Sequence, residues 1–243
     1  MSYPYIVQGS ELESFNTYTR EGPPVGTKMV AEDGRFYRFA QSAAVSVLGS
    51  LYQAAVWDLA KYGDQALGSA AVGATKLTGV GATTTNMNAS KLKYGYVWID
   101  SAAYAGPAMR VKDNTLITQG AVTGTITMFN PVQFAITTAT HQIAYGMNPW
   151  RDVVVDPSPL TAMAAGVCVK IIAAASYGWL QTGGACRVLV EGTILEGDIV
   201  VSSATNNGRV MPSAAFADDG PVIGTVYCDQ ATTEFALIHL TLD

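Results

Sequence analysis

The stretch Tyr177-Gly178-Trp179-Leu180-Gln181-Thr182-Gly183-Gly184 decides the fold class. A hydrophobic strand runs into paired glycines. Short strands follow at close spacing: Arg187 to Gly192, Asp198 to Ser203, Arg209 to Pro212 and Val222 to Tyr227, divided by Gly-Asp and Asn-Gly punctuation. Short apolar runs bounded by turn residues mark antiparallel β structure. The expectation is an all-β chain whose short antiparallel strands form β-barrel or sandwich-like modules. Trp179 is placed in the packed heart of the C-terminal module or at a subunit seam beside it. Gly183-Gly184 reads as the turn that returns the next strand. The last strand, Glu234 to Leu240, alternates only in part and reads as central and buried.

Outward from this core, residues 1–26 read as an extended N-terminal arm. Tyr3, Tyr5, Phe15 and Tyr18 lie among polar residues without a clean period, and Pro23-Pro24 ends the segment stiffly. Such aromatics dock on a neighbouring subunit or on their own domain. Arg35-Phe36-Tyr37-Arg38-Phe39-Ala40 follows the Glu32-Asp33-Gly34 turn signal and places Arg35, Tyr37 and Phe39 on one face of a strand, Phe36 and Arg38 on the other. Gln53 to Gly63 suggests a short helix capped by Gly63. The Gly/Ala/Thr-rich text from Leu67 to Asn88 offers little to fill a core and reads as a linker or long hairpin containing a strand or two. Tyr94 to Tyr145 forms a second β group, in which Gly124 to Phe129 alternates cleanly. The expected organisation is an arm at 1–26, a β-rich domain at 27–160 with an insertion near 64–90, and a small barrel-like module at 161–243.

Composition narrows the function classes. The chain has 243 residues, 49% hydrophobic, enough for a sizeable core. Charged residues are 14%, against roughly 25% in an ordinary soluble domain. Net charge is −5 with no Lys/Arg cluster, which argues against direct nucleic-acid binding. The start lacks the pattern of a secretory leader, and the longest apolar run, Gly166 to Ser176, is interrupted by Lys170, so no membrane segment is expected. The three cysteines, Cys168, Cys186 and Cys228, fit no zinc or redox spacing and read as buried free thiols in a reducing compartment.

The residues of catalysis are sparse. His141 and His239 lie in strand-like apolar text. No nucleophile elbow, zinc-protease motif or P-loop occurs. Asp152 and Asp156 share a strand face about 13 Å apart, too far for the roughly 6.5–9.5 Å of an inverting carboxylate pair; they read as a solvated edge or a subunit contact. No catalytic residue, metal or cofactor is expected. Trp98, Trp150 and Trp179 suggest large core or interface anchors, or a carbohydrate platform.

Several segments in order resemble structural proteins of tailed bacteriophages, marine ones especially: Asp33-Gly34-Arg35-Phe36-Tyr37-Arg38-Phe39-Ala40-Gln41; Tyr94 to Ile99 through Arg110-Val111-Lys112; Asn148-Pro149-Trp150-Arg151-Asp152-Val153-Val154; Trp179 to Gly184; and Gly197-Asp198-Ile199-Val200-Val201 with Gly208-Arg209-Val210 and Pro221-Val222-Ile223-Gly224. The resemblance implies a capsid decoration or cement protein that clamps the major capsid protein. It further implies a homo-oligomer, a trimer by preference, on the outer surface of the capsid after synthesis in the host cytoplasm. Tyr3, Tyr5, Phe15, Tyr18, Arg35, Arg38, Trp150 and Trp179 are the candidate assembly contacts. The alternatives are a tail, fibre or head-closure component, and a carbohydrate-binding adhesion module.

Overall fold

The computed structural model describes residues 5–58, 62–82, 84–100, 107–137, 141–213, 220–230 and 234–243. Tyr3, a candidate arm contact, lies outside them.

In chain order the strands are β1 (Ile6–Gly9), β2 (Lys28–Ala31), β3 (Phe36–Gln41), β4 (Leu51–Gln53), β5 (Lys76–Val80), β6 (Tyr96–Ile99), β7 (Met109–Asn114), β8 (Gly124–Met128), β9 (Ile143–Gly146), β10 (Val154–Val155), β11 (Ala164–Cys168), β12 (Tyr177–Leu189), β13 (Ile199–Ser202), β14 (Val210–Pro212), β15 (Val222–Cys228) and β16 (Phe235–Thr241). One short 3-10 turn, Glu11–Phe15, follows β1. The class is all-β, with strands in two sheets.

The chain divides into two compact units that differ from the expected domains. The first joins Met1–Val56 to Pro149–Asp243, and the second is the intervening Trp57–Asn148. The boundary expected near residue 160 therefore falls inside the first unit. A local pattern cannot reveal it, because β4 finds its partners β10 and β11 more than a hundred residues away.

In the first unit the sheet runs β1-β2-β3-β12-β16-β15-β13-β14, with β11 beside β12 and β4, and β10 beside β4. All pairings are antiparallel except β1 on β2. Val210 of β14 also makes a parallel bridge to Val190, one residue beyond β12. The arm packs on its own unit: Ile6–Gly9 forms an edge strand, and Tyr18 and Tyr177 exchange backbone hydrogen bonds of 2.8 Å.

The paired glycines are not a turn. β12 is one 13-residue strand that passes through Gly183-Gly184 and changes partners there. Tyr177 to Gly183 pair with β3, Leu180 and Gln181 also with β11, and Gly183 to Leu189 with β16. The ladder with β3 shifts register between Gln181 and Gly183. Gly184 adopts φ +79, the left-handed conformation that glycine takes without a Cβ penalty.

Trp179 is buried, but away from the C-terminal cluster where it was expected. It packs with Met29, Tyr37 and Phe39, and Tyr18 and Tyr177 cover that group. The C-terminal cluster is aliphatic, built from Val188, Val200, Val210, Ile223, Ile238 and Leu240 among others. β16 is central in the sheet yet alternates completely: Ala236, Ile238 and Leu240 point inward while Leu237, His239 and Thr241 are exposed. One of its faces is thus solvated, contrary to the expectation of a wholly buried strand.

The second unit holds an antiparallel sheet of order β5-β8-β7-β6-β9. Its core includes Leu77, Val97, Val111, Ile126, Ile143 and Tyr145. The Gly/Ala/Thr-rich segment is part of this core. It supplies β5, buries Leu67, Leu77, Val80 and Met87, and bridges Gln65 to Ile143 and Met87 to Ile117. Small residues there permit close backbone approach: a Cβ on Gly68 would lie 2.9 Å from the Thr78 carbonyl oxygen. Ala54 to Asp58, expected to begin a helix, are irregular.

Candidate functional site

The two arginines predicted as contacts are held within the first unit. Arg38 on β3 clasps the Asp243 carboxylate with Nε and Nη2 at 2.7 and 2.6 Å, donates to the Gly26 carbonyl at 2.9 Å, and lies 4.7 Å over the Trp150 ring. Arg35 pairs with Glu11 at 2.7 Å and Asp33 at 2.5 Å. Burial lowers the Arg35 pKa, but the Glu11 and Asp33 interactions outweigh it and hold it above the ordinary value. Trp150 is half-buried, its indole N–H donating to the Ala165 carbonyl at 2.9 Å. Tyr18 meets Phe39 edge-on at 5.7 Å, and the Tyr5 carbonyl accepts from Lys28 N–H. Trp179 is 1% exposed and presents no surface to a partner. Of the predicted aromatics described, Phe15 alone is classed as exposed.

One exposed apolar surface of the first unit carries no signal in the sequence. Val45, Val47 and Leu48 on the loop after β3, and Ile171 on the loop after β11, are exposed large hydrophobics, flanked by exposed Ala43, Ala44 and Ala173 to Ala175. The two loops are bonded to each other: Ser42 N–H to Ser176 O, Ala175 N–H to Ser42 O, and Ser46 N–H to Ile172 O. Buried Ser46 also accepts the Ile172 N–H on its hydroxyl at 2.6 Å, and the Tyr52 hydroxyl accepts the Val47 N–H at 2.8 Å. Neither Ser42–Ser50 nor Ile171–Thr182 contains a charged residue. The apolar side chains therefore stand on a fixed frame, which lowers the ordering cost of covering them. Beside this face, Phe15, Leu48, Leu237 and Arg187 line a cavity of about 400 Å³ with Cys168 and Cys186 in its wall.

Among the described residues the groups with catalytic potential do not converge. His141 is buried and bonded through Nδ1 to Thr137, whereas His239 is exposed on β16. Asp156, read as a solvated or contact residue, is fully buried; its carboxyl oxygens accept the Ser202 hydroxyl and the Ser158 N–H inside the unit. Cys168 and Cys186 are buried free thiols, but Cys228 is exposed, a correction to the reading of three buried thiols. Among the described residues no three His, Cys, Asp or Glu groups come together as metal ligands, and no helix is long and apolar enough to cross a membrane.

The three tryptophans proposed as a sugar platform do not form one. Trp179 is in the core and Trp150 lies under Arg38. Trp98 instead pairs with Trp57, ring centroids 6.1 Å apart. Trp57 was missed because its neighbours read as helical.

No protein-family model, no curated protein and no solved structure matches the chain.

Proposed function

We propose that the chain is a virion structural protein: a capsid decoration or cement protein that binds the major capsid protein, stabilises the head from outside and acts as a homo-oligomer, a trimer by preference. The observation that carries this reading is the uncharged apolar face of Ala43–Leu48 and Ile171–Ala175, held rigid by hydrogen bonds between its loops. Its composition suits a covered interface better than a solvated surface. The resemblance of Asp33–Gln41, Asn148–Val154 and Trp179–Gly184 to phage structural proteins supports the same role. A protein that binds only the assembled shell stabilises it by linkage. As part of the same proposal, the C-terminal strands form a small barrel, a reading supported by the parallel bridge that ties Val210 back to Val190.

The test is re-binding of purified protein to capsids stripped of it. The wild type is expected to bind saturably and to raise the capsid melting temperature. Val45→Lys and Ile171→Lys, which place a charge on the face without touching the core, should weaken binding at least about tenfold. Absence of wild-type binding sinks the proposal, and wild-type-like binding by both variants removes this face from it. Localisation of the protein to the tail by particle imaging would select the tail or fibre role instead.

A further inference from the structure

The outer face of the second unit carries an arrangement that core packing does not require. Along β6, Val97 and Ile99 point inward, while Tyr96 and Trp98 point outward and Asp100 follows in the same phase. The register with β9 sets Gly146 beside Tyr96 and Ala144 beside Trp98. One step on, Asp100 N–H donates to the Gln142 carbonyl at 2.9 Å. Aromatics thus line one strand, small residues the next, and the row ends in a carboxylate and an amide.

Trp57 completes the row. Its ring lies 6.1 Å from that of Trp98 at 34°, and its indole N–H donates to the Tyr145 carbonyl at 3.2 Å, which fixes its orientation. A Cβ on Gly146 would sit 3.6 Å from Trp98 and 3.9 Å from Trp57, so both rings lie over a residue without a side chain. Trp57 is 41% exposed and Tyr96 44%. Two indoles packed on each other, one of them fixed by a hydrogen bond, and an exposed phenol beside them suit a flat apolar partner.

We propose that this face binds a neutral glycan, independently of any role in the capsid. The C–H face of a pyranose ring matches an indole in size and shape, and its hydroxyls match the acceptors of Asp100 and the donor-acceptor amide of Gln142. Asp64 lies beside Asp100, its N–H donating to Oδ2 at 3.2 Å, and the Gln142 amide donates to the Asp64 carbonyl at 3.4 Å. The Asp100 carboxylate at this end disfavours an anionic sugar, and Arg110, across from Tyr96 at the other end, is engaged over the Phe129 ring, which favours the neutral class.

The full chain is titrated with maltohexaose, cellohexaose, laminarihexaose and chitohexaose, followed by tryptophan fluorescence and calorimetry. Saturable binding of at least one is expected, with Trp57→Ala and Trp98→Ala each weakening it at least about tenfold. Asp100→Asn is expected to weaken it as well, and Tyr227→Ala, on an exposed site of the first unit, to leave it unchanged. Should Trp98→Ala lower the melting temperature enough to unfold the chain, the half-exposed Trp57→Ala decides. The proposal is overturned if none of the four sugars saturates, or if folded Trp57→Ala binds as the wild type does.

Discussion

Arg38 and Asp243, 205 residues apart, are joined by two parallel charge-assisted hydrogen bonds of 2.7 and 2.6 Å. Lys28 adds a third contact to the same carboxylate at 3.5 Å, and the Thr182 hydroxyl donates to it at 3.4 Å. The pair ties the residues after β16 to β3, across the line where β12 changes partners.

Burial pushes the Asp243 carboxyl up, but the hydrogen bonds and charge of Arg38, with the charge of Lys28, outweigh it and leave its pKa below the ordinary value. A carboxyl depressed in the folded state contributes stability above its unfolded pKa, and that contribution disappears as pH falls through the folded value. Asp243→Asn is therefore expected to cost about 1 kcal/mol near neutral pH, since the pair is partly solvated. The gap between wild type and variant should begin to close below about pH 4 and vanish at lower pH. Urea denaturation across a pH series measures it; a gap that persists unchanged in strong acid would refute the assignment.

Gly183 is where Phe36 of β3 crosses β12. A Cβ there would lie 2.6 Å from Phe36 Cδ2, so Gly183→Ala forces the ring to move and is expected to cost about 1–3 kcal/mol. Combining it with Phe36→Leu should return part of that loss, because the two changes act on one contact. Denaturation midpoints of the single and double variants test this, and strict additivity would show that the strain lies elsewhere.

The sequence reading succeeded where one strand's environment is set locally. Gly124–Met128 alternates in text and in burial, and the turns around Gly34 and Gly208 separate strands as their residues suggest. It failed where the answer lies in a distant segment. The excursion of Trp57–Asn148 out of the first unit depends on β4 pairing with β10 and β11, which no local period encodes. Gly183-Gly184 reads as a turn because paired glycines usually are one; here they serve a strand that exchanges neighbours. Asp156 looked exposed because nothing near it in sequence announces Ser202, 46 positions on, as its buried partner. Among the candidate contacts, Trp150 and Trp179 stand out in the sequence as large anchors for either core or interface, and Trp179 belongs to the core. The Val45–Leu48 and Ile171 face lacks any aromatic signal. Its polar framework, Ser42, Ser46 and Tyr52, is visible only once the loops meet.

Trp179 anchors the aromatic group of the first unit. Its ring meets Phe39 edge-on at 5.1 Å, and Phe39 stacks with Tyr177 at 5.9 Å. Trp179→Ala is expected to lose about 3–5 kcal/mol through the cavity it leaves, and Trp179→Phe clearly less. Chemical denaturation distinguishes this from a surface role, for which the alanine variant would stay within about 0.5 kcal/mol of the wild type.

The three thiols should separate by reactivity. Burial pushes the Cys186 thiol up to about 12 and outweighs the opposing charge of Arg35. Burial also raises Cys168, only partly offset by its interactions with the Ser46 side chain and the Lys170 backbone. Thiolate is the reacting form, so both are protected by access and by ionisation together. Cys228 is exposed at the end of β15, within reach of a reagent. A thiol-disulfide reagent at mildly alkaline pH is expected to modify one cysteine of the folded chain rapidly and all three after denaturation. Cys228→Ser should abolish the rapid phase and leave the slow two; rapid modification that survives this substitution would place a buried thiol within reach of solvent and contradict the packing around the cavity.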